Sequence, residues 1–576
     1  MKIKTITIHN YRGILDATFS AYDYSLIVGA NNCGKTTIAD AIRCFYEKDS
    51  FKFDKSKDFP RGIQTTDFDS WIEIAFSLTK EERDSLKKDY QTPDRILRLR
   101  KFFVPFDGRK PGIYHVAPQG DVSKDMFYGA RNVQEGKVGN LIYIPAISKV
   151  DDITKLTGPS ALRDMLNGIM GAVVENSDAY HDLSSSIAKF AKSIQDLKTS
   201  DDLSLEGFQN EINGLLSPWK TRFSLEMNAP SSGEIIKNMI SWGLSDLELP
   251  VRNETEMDID RFGSGFQRFF IYSLVRLSAK YIPRNSNSKS KDFQPDFTLV
   301  LFEEPEAFLH PEQQEELARE LKRMGSADNW QVLCTTHSPH FVNRSMDDIP
   351  TLVRVQKDSG VVHVFQIDEI KLSEMFSSNV DYGSFFDKLP AKKQPKDRDL
   401  NLEALKYSMW ISPERAALFF ATNVLLVEGA SEVVFIARLV SDGKVRLPMG
   451  THVVDCFGKF NVHRFILLLD GLGITHSVLH DKDNDDNEEQ VAWNAFLQSK
   501  KAGRTRQIKY LENDLEGFLG IDKPDEKSRK PLSILMKYVN GEINEQHIFK
   551  FTQIIESLFS TTIGNQSNGT GEIKND

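Results

Sequence analysis

Cysteine is scarce: the 576-residue chain has four, Cys33, Cys44, Cys334 and Cys456. They are too scattered for a disulfide framework or a zinc knuckle, so reduced thiols are expected. No run of about eighteen apolar residues occurs, which gives no reading of a membrane span and no membrane partner. The opening MKIKTITIHNYRG alternates like a strand instead of reading as a signal peptide, and a cytoplasmic protein is the expectation. Positive charge is also in deficit, with 72 Lys and Arg against 82 Asp and Glu and a net charge of −10. That excludes a wholesale basic coat for nucleic acid but leaves room for a local patch, such as Lys500, Lys501, Arg504, Arg506 and Lys509. With 40% hydrophobic and 27% charged residues, the chain reads as a folded protein, and its length exceeds what one core supports, so two or more domains are expected.

The first motif with chemistry is G-x-x-x-x-G-K-T over residues 29–36, inside YSLIVGANNCGKTTIADAIRCFYE. An apolar strand precedes it, and a helical pattern through Ile38, Ala41, Ile42 and Phe45 follows. Gly29 and Gly34 let backbone N–H groups wrap phosphates, Lys35 reaches the outer phosphates, and the Thr36 hydroxyl ligates magnesium; Asn32 and Thr37 complete the nucleotide-binding loop. A P-loop needs a second acidic strand, and DFTLVLFEEPEAFLHPEQQ supplies it. Glu303 is read as the magnesium support and Glu304 as the group that activates the attacking water. Further on, WQVLCTTHSPHFV ends a strand in His337, within reach of a terminal phosphate in this reading. Between them, DRFGSGFQRFFIYSLVRLSA opens a helix at Ser264 and Gly265, whose N–H groups suit an anion.

In this order and spacing the motifs resemble an ABC-type ATPase head of the SMC-like kind, and ITIHNYRGI, with Arg12 after a strand, is similar to the start of such heads. The resemblance implies that two heads sandwich ATP, hence a homodimer or a higher homo-oligomer. Two departures, an incomplete Leu-Ser-Gly-Gly-Gln signature and Glu303 in place of the usual Asp, point to slow ATP turnover. Residues 1–150 then form the amino-terminal lobe and 259–370 the lobe with signature, Walker B and histidine. Residues 151–258, with helical patterns in DLSSSIAKFAKSIQDL and LEGFQNEINGLL, read as a helical dimerisation insert.

The polar stretch DKLPAKKQPKDRDLN reads as part of a linker over 371–415, and a domain over 416–564 follows. There NVLLVEGASEVVFIARLV ends a buried strand in Glu428, with Glu432 in the first turn of the next helix. A second strand-turn-helix unit, HVVDCFGKFNVHRFILLLDGLGI, carries the turn Gly458-Lys459. A third strand runs into HSVLHDKDNDDNEE, with Asp481 and Asp483. Counted from Asp481, the EF-hand pattern finds Asp486 where Gly belongs and Ala492 where Glu belongs, so a calcium loop is excluded. Carboxylates at the carboxyl ends of parallel strands point into the crevice where open sheets bind ligands.

This series resembles a Toprim domain. RQIKYLENDLEGFLG adds Glu512, Asp514 and Glu516. In this reading Glu428, Glu432, Asp481, Asp483, Glu512 and Asp514 are the metal ligands, for Mg2+ or Mn2+, with two ions about 4 Å apart. Lys530 in KSRKPLSILMKYV, with Lys527 competing, is the cation at the scissile phosphate. A tail over 565–576, NQSNGTGEIKND at its end, reads as disordered.

An ABC head followed by a Toprim domain is similar to the OLD (overcoming lysogenization defect) family of nucleases, including the Gabija nuclease subunit and retron-associated effectors. The fold class expected is therefore α/β: an ABC-type P-loop ATPase head with a helical dimerisation insert, then a Rossmann-like Toprim domain. The resemblance implies an ATP-regulated, divalent-metal-dependent DNA endonuclease, with anti-phage defence as its setting and an accessory helicase, or a retron reverse transcriptase with its nucleic acid, as partner. The alternative is an SMC-like DNA clamp whose Toprim part performs another phosphoryl transfer or only binds DNA. A topoisomerase would need a tyrosine on a DNA-gating region for which there is little room, and a bacterial-type primase a zinc module that is absent.

Overall fold

The computed structural model of the chain describes residues 1–47, 51–146 apart from 66, 130, 132 and 134–135, scattered positions between 166 and 244, 259–281, and 293–560 apart from 343–345, 397–398, 411–412 and 484–485. It has two compact units: Met1–Ile144 with Phe293–Glu306 and Pro311–Asp576, and Pro145–Asp292 with Ala307–His310. Among the described residues no helix is long and apolar enough to cross a membrane.

Among the described residues sixteen strands build the larger unit: β1 Lys2–Tyr11, β2 Ile14–Ser20, β3 Tyr24–Val28, β4 Ser70–Ser77, β5 Ile96–Val104, β6 Gly112–Val116, β7 Val122–Met126, β8 Asn140–Ile144, β9 Thr298–Glu303, β10 Trp330–Thr336, β11 Leu352–Asp358, β12 Val361–Phe365, β13 Asn423–Val427, β14 Thr451–Asp455, β15 Thr475–Asp481 and β16 Thr505–Leu511. They form three sheets, ordered β2-β1-β4-β5-β6-β7, β12-β11-β3-β10-β9-β8 and β14-β13-β15-β16.

The first sheet is antiparallel, with Ile6 opposite Phe19 on one side and Ile74 on the other. Its alternation puts Ile6, Ile8, Ile72, Ile74, Leu97 and Leu99 into one core with Ile38, Ile42 and Phe45 of the helix Lys35–Tyr46. Burying one apolar face of a sheet under a helix is what this period-two pattern requires. In the second sheet β11, β3, β10, β9 and β8 are parallel, and only β12 runs antiparallel. Its central strand β3 is buried along its whole length, as a parallel strand covered on both faces should be.

The third sheet is wholly parallel. Its order reverses direction between β14 and β15, on either side of β13, and that is the point where open α/β sheets bind ligands. Its core joins Leu425, Val427 and Leu479 to Phe435, Ile436, Phe551 and Ile555 from the flanking helices.

Residues 371–415, read as a linker, are largely ordered instead. They contain most of the helix Glu369–Val380 and the helix Leu400–Trp410. Tyr382, Phe386 and Leu389 between these helices are buried against Ala492, Trp493 and Phe496. Three residues of the expected basic patch are engaged elsewhere: Lys500 donates to the Ser378 carbonyl at 2.7 Å, Lys509 to the Ser557 hydroxyl at 2.6 Å, and the Arg504 guanidinium lies 4.9 Å from the Phe365 ring centre. In the smaller unit, LEGFQNEINGLL is the helix Leu205–Leu216, and Ser264 and Gly265 open the helix Ser264–Tyr281. The helical pattern DLSSSIAKFAKSIQDL, the dimerisation role of residues 151–258 and the tail over 565–576 lie largely or wholly outside the described residues.

Candidate functional site

Parallel pairing aligns three strand ends of the second sheet: Val28 of β3 stands beside Thr336 of β10, and Thr335 of β10 beside Glu303 of β9. The P-loop leaves β3, His337 follows β10, and the acidic pair Glu303 and Glu304 stands at the end of β9. Gly29 and Gly34 sit at positive φ, 150° and 112°. A Cβ on Gly29 would come within 2.3 Å of the Val355 carbonyl oxygen, so only glycine fits there. Asn32 also has positive φ, 59°. Gly34 precedes the helix Lys35–Tyr46, whose first turn contains no acid to compete for an anion, and that leaves its N–H groups and dipole available for phosphate.

Lys35 is buried, and its Nζ donates to the carbonyls of Gly29 at 3.1 Å and Ala30 at 2.9 Å and to His337 Nδ1 at 3.4 Å. Burial holds its pKa below the ordinary lysine value although Cys33, Glu304 and Glu306 pull the other way, as desolvation of a cation does when it outweighs its neighbours. His337 is likewise lowered by burial and by Lys35. Its other nitrogen, Nε2, lies 3.4 Å from Glu304 Oε1, so a neutral ring that accepts from Lys35 and donates to Glu304 fits both contacts.

Burial raises Glu303. Its Oε2 accepts from the Tyr143 hydroxyl at 2.9 Å, the Thr36 side chain lies beside the carboxylate, and Oε1 is buried without a partner of hydrogen-bond geometry. An acid with an open oxygen next to a threonine hydroxyl fits a magnesium ion bound with nucleotide. Tyr143 and Glu306 carry no motif in the sequence. Glu306 accepts from the His337 N–H at 2.6 Å, and burial raises its pKa. Thr37 follows Thr36 in the first turn of the helix. Ser264 and Gly265 belong to the smaller unit.

The second cluster forms at the switch point of the third sheet. Val427 of β13 pairs with Leu479 of β15, so Glu428 and Asp481 leave adjacent strands almost level. Glu428 Oε1 accepts from the Asp481 N–H at 2.8 Å. Glu432, in the first turn of the helix Ala430–Ser441, reaches back to accept from the Gly429 N–H at 3.1 Å. That bond caps the helix, so Glu432 has a structural duty as well. Burial raises all three, Glu428 and Glu432 to about 7 and Asp481 to about 9. Mutual repulsion adds to burial: Asp481 feels Glu428, Glu432, Asp483 and Asp514, and Glu432 feels Glu428 and Glu516.

Around these acids stand three lysines. Lys459, buried, donates to Asp483 Oδ2 at 2.6 Å, Lys530 donates to Glu516 Oε2 at 3.1 Å, and Lys523 pairs with Asp514. Asp483 adopts positive φ, 59°, and forms an isolated bridge with Asn513, which ties the loop after β15 to the one after β16. Asp514 caps the short helix Leu515–Leu519. Glu512 stands apart: it is mostly exposed and paired with Lys482 at 3.4 Å. Glu516, by contrast, is buried, with Lys530 Nζ 3.1 Å from each of its carboxylate oxygens. Nothing is described of the Lys527 side chain.

Among the described residues no three His, Cys, Asp or Glu side chains stand as a closed metal-ligating group. The contacts give the reason: lysines occupy Asp483, Asp514 and Glu516, and Glu428 and Glu432 each spend an oxygen on a backbone N–H. The donor set nevertheless fits a hard divalent cation, because oxygens that are buried, crowded and repelling one another are what such an ion neutralises.

With this geometry in hand the comparisons with known proteins are specific. The AAA ATPase domain family model matches residues 1–108 and 150–342, more than half of the chain. The chain belongs to the AAA ATPase domain family. Its carboxyl-terminal part matches the overcoming lysogenization defect protein-like TOPRIM domain over residues 419–483, from just before β13 to Asp483. The TOPRIM match thus follows the ATPase match along the chain. The chain is similar to the Old nuclease of Escherichia phage P2, with 23% identity over 96% of this chain and 90% of that protein, and to Endonuclease GajA of Bacillus cereus (strain VD045), with 23% identity over 98% and 90%. A solved SMC head bound to the C-winged helix domain of ScpA aligns with a TM-score of 0.37 at 13% identity, over 65% of this chain and all of that one.

Proposed function

We propose that the chain is a divalent-metal-dependent endonuclease acting on DNA, with ATP at the P-loop regulating cleavage. The observation that carries this reading is the crowding of Glu428, Glu432 and Asp481 at the switch point of the third sheet, held there although burial and repulsion raise all three. A fold keeps carboxylates in so costly an arrangement where function requires it. Glu428, Asp481, Asp483, Asp514 and Glu432 would hold Mg2+ or Mn2+, with Glu516 as a further donor. Bound ions of this kind lower the pKa of water and stabilise a leaving oxygen.

The chain's own residues do the rest. Glu428 orients the Asp481 backbone. Lys459 holds the loop that carries Asp483. Lys530, at the start of the helix Lys530–Val539, is half-exposed and directs its ammonium toward the acids, where a phosphodiester would find a cation. At the other site, Lys35, Thr36 and Glu303 support binding of ATP with magnesium, and His337 and Glu304 stand where a terminal phosphate and its water would lie. The homodimer and the defence setting, with a helicase or reverse transcriptase as partner, rest on the family resemblance.

Nicking of supercoiled plasmid in Mg2+ or Mn2+, with and without ATP, tests the reading. Asp481→Asn is expected to reduce nicking by about a thousandfold or more while ATP binding persists. Undiminished nicking by that variant would refute the site. The SMC-like clamp would instead bind DNA and leave plasmid intact under every metal condition.

A further inference from the structure

We infer that the β11–β12 hairpin couples the P-loop to the TOPRIM acids, with Arg354 as the positioning residue at its hub; this deepens the regulatory part of the function proposed above. The hairpin is short and stiff. Arg354 to Asp358 pair with Phe365 to Val361 around a two-residue turn, Ser359 and Gly360, both at positive φ, which is the tight geometry that matches strand twist.

One side of the hairpin presses on the nucleotide loop. β11 pairs in parallel with β3, Arg354 beside Val28, the last residue before Gly29. The Val355 carbonyl sits where a Gly29 side chain would be, and both Val362 methyls lie 2.9 Å from where a Gly34 Cβ would be. The two glycines of the phosphate loop are therefore in contact with adjacent strands of one hairpin, and neither can shift without moving it.

The other side grips the TOPRIM domain at two places. Arg354, 2% exposed, donates to the carbonyls of Ala421 at 3.0 Å, Leu472 at 3.2 Å and Gly473 at 3.3 Å. Phe365, its direct cross-strand partner, fills the space over Gly473, where a Cβ would come within 2.5 Å of the ring. Ala421 lies two residues before β13, and Gly473 two residues before β15. Glu428 directly follows β13, and Asp481 is the last residue of β15. One guanidinium thus fixes the starts of the two strands whose far ends carry the opposed acids. Because β13 and β15 are rigid and in register, a change at their starts reaches the Glu428–Asp481 bond at their ends.

Among the described residues the Arg354 hydrogen bonds go to three carbonyls and Gln356 Oε1 and none to a carboxylate, although the charge of Asp358 acts on it from farther off. A buried charge without an acid bonded to it is a poor device for stability alone. It suits a joint that must hold two elements in either of two settings of the neighbouring loop.

Amide hydrogen exchange of the full chain, with and without saturating ATP and magnesium, tests the inference without needing cleavage. ATP is expected to change exchange over residues 421–428 and 472–481 by about fivefold or more in the wild type. The same change is expected to fall below about twofold in Arg354→Lys, which leaves the loop untouched, and in Val362→Ala, which leaves Arg354 untouched. A wild-type chain whose exchange there ignores bound ATP, or variants that bind ATP and respond in full, would overturn the coupling. A wild type that shows the response yet nicks no plasmid sinks the nuclease reading and leaves the coupling standing.

Discussion

Asp481 is the most perturbed acid of the site, pushed up to about 9 by burial and by Glu428, Glu432, Asp483 and Asp514. Its folded pKa lies above its unfolded one, so the folded state binds the extra proton. Stability from this group is present at low pH and is lost as pH rises toward about 9. Asp481→Asn, which needs no proton, is expected to stabilise the chelated protein at pH 8 by about 0.5–2 kcal/mol. In thermal melting, Mn2+ should raise the wild type more than the variant, because an ion that binds only the folded state stabilises it. Equal metal shifts would remove Asp481 from the ligands.

Glu403 behaves in the opposite way. Burial alone would raise it, but the paired hydrogen bonds from Arg464, both 2.8 Å, and the charges of Arg464 and Lys406 hold it below its ordinary value. Its contribution is present above the unfolded pKa and is lost as pH falls through the folded one. Glu403→Ala removes the carboxylate from a buried Arg464, at an expected cost of about 3–5 kcal/mol in urea unfolding at pH 7. Between pH 7 and pH 3 the wild type should lose more stability than the variant.

Among the elements, the segment between the two domains shows what a sequence conceals. Its lysines and prolines suggested a solvated linker, yet Phe386 is fully buried, with its ring 4.9 Å from that of Trp493. Tyr382, Phe386 and Leu389 recur at spacings of four and three, but they are few among polar neighbours and their partners lie a hundred residues away. Phe386→Ala is expected to cost about 3–5 kcal/mol and to loosen the backbone around the exposed Lys388, Lys392 and Lys393, so that trypsin cuts there well before the rest of the chain. Resistance equal to the wild type would mean that the helices alone hold the segment. The strand ends were legible because their chemistry is local: a glycine loop, a Glu-Glu pair, a strand ending in Asp. The partners of these acids were not. Lys459 reaches Asp483, Lys523 reaches Asp514 and Tyr143 reaches Glu303 only through the fold, and no spacing announces them. Glu512 and Glu516 make the same point, since four residues apart one is exposed against Lys482 and the other buried against Lys530.

For the whole molecule, the proposed nucleotide and metal centres, on separate sheets, make a prediction about independence and its limit. Lys35 serves the P-loop alone and Asp481 the TOPRIM acids alone. Lys35→Ala should therefore abolish the thermal shift caused by ATP while leaving the shift caused by Mn2+ without nucleotide, and Asp481→Asn should do the reverse. Each ligand stabilises according to its own affinity, so the two single shifts identify the two sites without any assay of cleavage. Coupling appears only when both ligands are present. If ATP alters Mn2+ affinity by some factor, Mn2+ must alter ATP affinity by the same factor, and either variant must erase both effects together. Titrating each ligand at saturation of the other measures the two factors. Unequal factors would mean that one of the ions binds at a third site, and factors of one would mean that ATP acts on the rate of cleavage and not on the metal centre.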